Sequence, residues 1–230
     1  MGKAFFITGT DTAVGKTYFA ASLACALNEA GLKVGVFKPV ESGCRYSQGK
    51  QVPRDASILK LASGCDLDIP KICPYCFREA LAPSEAAKIE NVKIDKRRII
   101  ETFEYILDSH EVTIVEGAGG LLSPLYESWD VLELMRELCI PVINVVSSKL
   151  GAINHTLLTE RVILDESLEL IGHVVNNLFG TDEPAVLSNP DVIASLTAKP
   201  VVCVLPKVQT PWLEPQRFNS YFDFRILDLE

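Results

Sequence analysis

The sequence predicts a doubly wound α/β fold, with a mainly parallel sheet flanked by helices. Six short apolar runs point to the strands: Ala4–Thr8, Lys33–Phe37, Val112–Glu116, Val142–Val146, Leu170–Val175 and Val201–Leu205. They are β-branched and continuous rather than alternating, as strands buried on both faces are. Helix-like stretches separate them. The first run also leads through a glycine-bearing turn directly into a long alanine- and leucine-rich stretch.

That stretch, Lys16–Ala30, stops at Gly31, a residue free to take the positive φ that ends a helix. Shorter helices are expected at Ala56–Ala62, Ser84–Ile89 and Asp95–Leu107. Asp130–Leu138 places Val131, Leu134, Met135 and Leu138 on one stripe. Ile153–Asp165 and Asp191–Leu196 complete the set. The least regular part runs from Ser42 to Pro83, an excursion long enough to carry or cover a site. Pro211 and Pro215 punctuate the end of the chain, and Tyr221, Phe222, Phe224, Ile226 and Leu227 read as a tail that packs back. With 230 residues, roughly 70% of the unfolded surface can be buried, so a single domain over residues 1–230 is expected.

Composition narrows the partners. Lys plus Arg number 22 against 30 Asp plus Glu, for a net charge of -8. No run of basic residues offers a nucleic-acid surface against that field. Lys96-Arg97-Arg98 is the densest cluster and reads as a solvated helix start. No apolar run approaches the roughly 20 residues that span a bilayer, so no membrane partner is expected. Seven cysteines and no secretion signal before the first strand point to a reduced, cytoplasmic protein. Cys25 and Cys139, among apolar neighbours, read as small core residues. Cys73-Pro74-Tyr75-Cys76 has CxxC spacing but lacks a second such pair or a nearby histidine pair. Metal or redox use stands there as the alternative to a structural role.

The strongest local feature is Gly9-Thr10-Asp11-Thr12-Ala13-Val14-Gly15-Lys16-Thr17. Between a strand and a helix, this is the setting of a phosphate loop, making the fold P-loop NTPase-like. Backbone N–H groups and the helix N-terminus would hold the β-phosphate. Lys16 would reach the β/γ oxygens, and Thr17 would place its hydroxyl on Mg²⁺. The spacing is a variant of GxxxxGK[ST], because Thr10 stands at the first glycine position and Gly9 one residue earlier.

Ligands of a parallel sheet lie beyond the carboxyl ends of its strands. Lys38 follows the second strand and would neutralise charge on transferring phosphate, unless it is only a lysine snorkelling at a strand end. Glu116 ends the third strand before Gly117-Ala118-Gly119-Gly120, as a magnesium ligand or water-holder would. Asp55 is either a second metal ligand or a carboxylate at a helix N-terminus. The turn Leu150-Gly151-Ala152-Ile153-Asn154 opens a helix and is a second anion-binding candidate. Asn176 ends the fifth strand, where its amide can read a base edge. His155 has no orienting partner and reads as structural, while His110 and His173 fall beside strand starts, at the opposite sheet edge.

In this order, Gly9-Thr10-Asp11-Thr12 with Val14-Gly15-Lys16-Thr17, Lys38-Pro39-Val40 with Ser42-Gly43, Glu116-Gly117-Ala118-Gly119-Gly120 with Pro124-Leu125, Lys149-Leu150-Gly151 with Ile153-Asn154-His155, Asn176 and Pro206 resemble the dethiobiotin synthetase family. The resemblance implies a homodimer in biotin synthesis that joins 7,8-diaminopelargonic acid and CO₂ at the expense of Mg-ATP. It implies that Lys16, Lys38, Thr12 and Ser42 carry the chemistry. Asp11 through Thr17, Glu116, Asn176 and Pro206 would hold the nucleotide. Thr12, Lys38, Ser42, Gly119 and Leu150 through Asn154 would hold the diamine, and Thr17, Asp55 and Glu116 the magnesium. Two positions depart from the family pattern: Ala13 replaces a common acidic residue, and Leu121 a common tryptophan. Two rival readings share the loop. A ParA/MinD-like ATPase switch usually has an additional early lysine, where Thr10, Asp11 and Thr12 stand here. An inactive nucleotide-binding scaffold would explain Ala13.

Overall fold

The computed structural model describes residues 2–47, 49–177, 184–207 and 209–229. At its centre six strands lie parallel: β1 (Lys3–Gly9), β2 (Val34–Phe37), β3 (Val112–Glu116), β4 (Val142–Ser147), β5 (Leu170–Asn176) and β6 (Val201–Leu205), in the order β6-β5-β4-β1-β3-β2. Each apolar run of the sequence is one of these strands, within a residue at either end. All of β2, β3 and β4 is buried, and all of β1 except Lys3. Successive side chains point to opposite faces, so both faces are covered.

The helices are α1 (Lys16–Glu29), α2 (Arg54–Ser63), α3 (Ile69–Ile72), α4 (Pro83–Ile89), α5 (Lys96–Ser109), α6 (Val131–Leu138), α7 (Ala152–Asp165), α8 (Pro184–Leu196) and α9 (Pro215–Phe218). Asp95 and Asp130, expected as first helical residues, are caps instead. Their carboxylates accept from Arg97 N and Glu133 N, each at 2.9 Å. The stripe on α6 is buried as expected. α8 begins before the expected Asp191 because the helix runs through Pro190, forgoing one backbone bond.

The excursion between β2 and α4 is more regular than its composition suggests. Val40–Glu41 pairs in parallel with Tyr75–Cys76, and Arg45–Ser47 pairs antiparallel with Lys50–Val52. The tail docks on α1: Phe218 and Phe222 lie 6.0 and 5.6 Å from the Phe19 ring, and the Leu213 amide donates to Ser22 Oγ at 2.9 Å. Phe222 and Leu227 are buried, whereas Tyr221 stays 37% exposed. Cys139 is not a core residue. It caps α6 at φ 47°, which turns it out to solvent. His173 sits mid-strand rather than at an edge, and its ring nitrogens contact Glu160 Oε1 and Asn144 Nδ2, both at 3.1 Å. Among the described residues no helix is long and apolar enough to cross a membrane.

Strand order places the site. On one side of β1 lie β3 and β2, on the other β4, β5 and β6. The turn after β1 therefore opens at the point where the winding reverses, which is where open α/β sheets bind ligands.

Candidate active site

The loop after β1 is built from its glycines. A Cβ at Gly9 would come within 2.7 Å of Val14 Cγ2 and 3.0 Å of the Val145 carbonyl oxygen. Gly15 takes φ 98° as the N-cap of α1 and brings no side chain to that cap, so the first amides of the helix remain open to a ligand. Ala13 also takes a positive φ of 59°, a left-handed conformation that costs an L-residue about 1–2 kcal/mol. The loop is closed from within: the Lys16 ammonium donates to the Asp11 carbonyl at 2.8 Å, and the Thr12 amide to Asp11 Oδ1 at 2.7 Å.

Three strand ends bring the charged groups together. Glu116 Oε1, at the end of β3, accepts from Lys38 Nζ at 2.6 Å and from Thr17 Oγ1 at 2.8 Å. Lys38 also donates to the Gly117 carbonyl at 2.9 Å and lies 3.7 Å from Asp55 Oδ2. Lys38 is thus no snorkelling surface lysine; it is 3% exposed. Burial pushes its pKa down, but Glu116 and Asp55 more than reverse this and hold the ammonium charged. Burial pushes the Glu116 carboxyl up, against the opposing pull of Lys38. Lys16 falls to about 8, first through burial and then through repulsion by Lys38.

Asp55 reaches this cluster because α2 is anchored by a residue the sequence reading passed over. Glu41 accepts from the amides of Asp55 at 2.9 Å and Ala56 at 3.0 Å, capping the helix from 14 residues upstream. Its only sequence signal is an acidic residue left over after Lys38-Pro39-Val40. A second overlooked residue is Asn189. Its amide donates to the carbonyls of Ser148 and Lys149 at 2.7 and 3.0 Å, fixing the turn before α7.

A cleft of about 460 Å³ gathers Thr12, Ala13, Gly15, Lys16, Thr17, Lys38, Asp55, Glu116 and Gly119 from the expected residues, and adds Tyr18, Arg54, Ile58, Thr210 and Pro211. Ser42, Asn176, Pro206 and the 150–154 turn lie outside its lining. Ser42 Oγ is buried with no hydrogen-bond partner. Asn176 Nδ2 donates to the Val14 carbonyl at 3.2 Å, tying β5 to the loop, while its Oδ1 is buried and unpartnered. The turn at α7 is open, with Leu150 83% exposed and Gly151 at φ 91°.

A family model described as an AAA domain matches residues 3–211. The chain is 40% identical over 210 residues to the ATP-dependent dethiobiotin synthetase BioD of Bacillus licheniformis, covering 90% of this chain and 87% of that one. It is 37% identical over 209 residues to the enzyme of the same name from Aromatoleum aromaticum, covering 90% and 91%. The chain belongs to the dethiobiotin synthetase family. Among solved structures, the septum site-determining protein MinD of Pyrococcus horikoshii, complexed with Mg-ADP, superposes with a TM-score of 0.52 at 17% identity, over 90% of this chain and 82% of that one. That likeness is one of fold, and confirms the P-loop NTPase architecture.

The residues fit a magnesium ion. Glu116 Oε2 is buried without a hydrogen-bond partner, while Oε1 already serves both Thr17 and Lys38. A cation at Oε2 need not displace Lys38. The donors Thr17, Asp55 and Glu116 are all oxygen, as a hard cation requires.

Proposed function

We propose that this chain is an ATP-dependent cyclo-ligase that closes the cyclic urea of dethiobiotin from 7,8-diaminopelargonic acid and CO₂, releasing ADP and phosphate. What carries the reading is the cluster of buried Lys16, Lys38 and Glu116 with half-buried Thr17 and Asp55, gathered where β1, β2 and β3 end and α2 begins, in a chain of this family. One substrate amine adds to CO₂ and loses a proton, giving a carbamate. A carbamate oxygen attacks the γ-phosphoryl group and ADP leaves. The second amine then attacks the carbonyl carbon and loses a proton, and phosphate departs with the oxygen it captured.

The protein's work is placement and charge neutralisation. Lys16 and the open amides at the start of α1 bind polyphosphate. Lys38, already held charged, faces the carbamate and the γ-phosphoryl oxygens. Thr12 and Gly119 line the same cleft and position the carbamate, and Ser42 offers an unpartnered hydroxyl to the diamine end. Thr17, Asp55 and Glu116 would hold magnesium, which would supply further neutralisation of charge on the polyphosphate. Asn176, with its unpartnered Oδ1, and the backbone at Pro206 receive adenine.

The α7 turn, Leu150 through Asn154, takes the distal carboxylate of the substrate from a second copy of the chain. Leu122, Leu150 and Leu158 expose large apolar side chains that a homodimer contact would cover. The enzyme is then a cytoplasmic homodimer in which residues 1–230 act as one domain. Purified protein incubated with Mg-ATP, bicarbonate and 7,8-diaminopelargonic acid should yield dethiobiotin by mass spectrometry. The peak should need all three substrates and vanish in Lys16→Ala. Tight Mg-ATP binding without product would replace this reading with the inactive scaffold.

A further inference from the structure

At the opposite edge of the sheet a second constellation has no part in this chemistry. Cys65, Asp66 and His110 bring one sulfur, one carboxylate oxygen and one ring nitrogen within 4.8 Å of one another. Cys65 Sγ lies 3.8 Å from His110 Nε2. Bond lengths of about 2.3 Å to sulfur and about 2.0 Å to nitrogen set a tetrahedral S···N separation of about 3.5 Å around zinc, so these two ligands stand almost where one ion would hold them.

The imidazole is also oriented for that role. His110 Nδ1 lies 2.8 Å from the Ile106 carbonyl and 3.0 Å from Ser109 Oγ. Donation to that carbonyl leaves the Nε2 lone pair facing Cys65, the arrangement a metal-bound histidine usually has. Gly35 of β2 makes room for the ring, since a Cβ there would meet His110 Cγ and Nδ1 at 2.9 Å. Cys65 and His110 are buried, whereas Asp66 is exposed and lines a cleft of about 300 Å³ with His110, Lys33 and Lys71, which gives an ion a way in.

We propose that Cys65, Asp66 and His110 form a zinc-class metal site, with water as the fourth ligand. Binding replaces the Cys65 thiol proton, which leaves to solvent, by the metal–sulfur bond. The consequence for the fold follows from position. Cys65 follows Gly64, the C-cap of α2, and His110 is the C-cap of α5. The ion would clamp the far end of the helix whose first turn carries Asp55.

Cobalt(II) reports the site directly, because a thiolate ligand gives a charge-transfer band in the near ultraviolet that an all-oxygen magnesium site cannot give. Reduced, chelator-treated protein titrated with Co²⁺ without ATP should develop this band to one equivalent, and Zn²⁺ should bleach it. Cys65→Ser should abolish the band. Asp66→Asn, at an exposed position where folding is not in question, should weaken Co²⁺ affinity by roughly tenfold or more, since even indirect partners of metal ligands matter that much. Zn²⁺ should raise the Tm of the parent chain and leave that of Cys65→Ser unchanged. Three outcomes overturn the proposal: no band at excess Co²⁺, an affinity unaltered by Asp66→Asn, or a band that survives Cys65→Ser and disappears in Cys73→Ser. The first would leave Cys65 and His110 as a simple thiol–imidazole contact. The last would move the metal to the CxxC pair, whose sulfurs lie 3.6 Å apart.

Discussion

Lys16 shows how one residue sets the working range of the site. Its ammonium is buried beside Lys38, which brings its pKa to about 8. Bound polyphosphate favours the charged form, so the complex keeps the proton over a pH range in which the free protein loses it. Nucleotide binding therefore takes up a proton above pH 8, and affinity falls as pH rises. Between pH 7 and pH 9 the loss should be about tenfold, since above its pKa the charged fraction falls tenfold per pH unit. Lys16→Arg, which stays charged, should flatten the profile even if it binds more weakly. Titrations with a fluorescent nucleotide at fixed ionic strength measure this, and an equally steep fall in Lys16→Arg would show that another group titrates. Lys16 and Thr17 were legible in the sequence from the phosphate-loop motif, and Lys38 and Glu116 because they stand at the carboxyl ends of apolar runs, where a parallel sheet presents its ligands. The left-handed φ of Ala13 was not, because alanine carries no signal for it.

At the scale of elements, the sheet and its main helices were legible because burial on both faces leaves unbroken β-branched runs, and because the stripe on α6 repeats with the helical period. What was not legible depends on contacts distant in the chain. Val40–Glu41 becomes a strand only because Tyr75–Cys76 lies beside it. The start of α2 is likewise decided elsewhere, by the carboxylate of Glu41 at the amides of Asp55 and Ala56. Glu41→Gln removes the negative charge from a helix N-terminus and leaves one carbonyl oxygen for two amides. Stability should fall by about 1–2 kcal/mol, read from urea unfolding. Because Asp55 rides on that first turn, more Mg²⁺ should be needed to reach half-maximal nucleotide binding, while magnesium-free binding stays as it was. An unchanged Mg²⁺ midpoint in a destabilised variant would confine Glu41 to folding and separate Asp55 from the metal.

Over the whole molecule, the cleft is closed by two distant parts of one chain. The loop after β1 with the start of α1, Lys38 after β2, the first turns of α2 and the end of β3 supply its floor, and the tail supplies a wall through Thr210 and Pro211. That wall has little sheet of its own to lean on. It is held by α1, where Leu213 bonds Ser22, and by the cluster of Phe19, Phe218, Phe222 and Phe224. The same helix α1 starts at the phosphate loop, so tail docking and nucleotide binding share one support. Phe218 is fully buried, and Phe218→Ala should cost about 3–5 kcal/mol of global stability. Ligand binding should suffer as well: a loosened wall weakens nucleotide affinity several-fold, while the rate at saturating ATP holds, because Phe218 packs on Phe19 of α1, whereas Lys38, Asp55 and Glu116 are carried by β2, α2 and β3. Urea unfolding together with KM and kcat for ATP tests both parts. A fall in kcat at unchanged KM would mean that the tail acts on the chemistry through α1 rather than on the nucleotide through the wall.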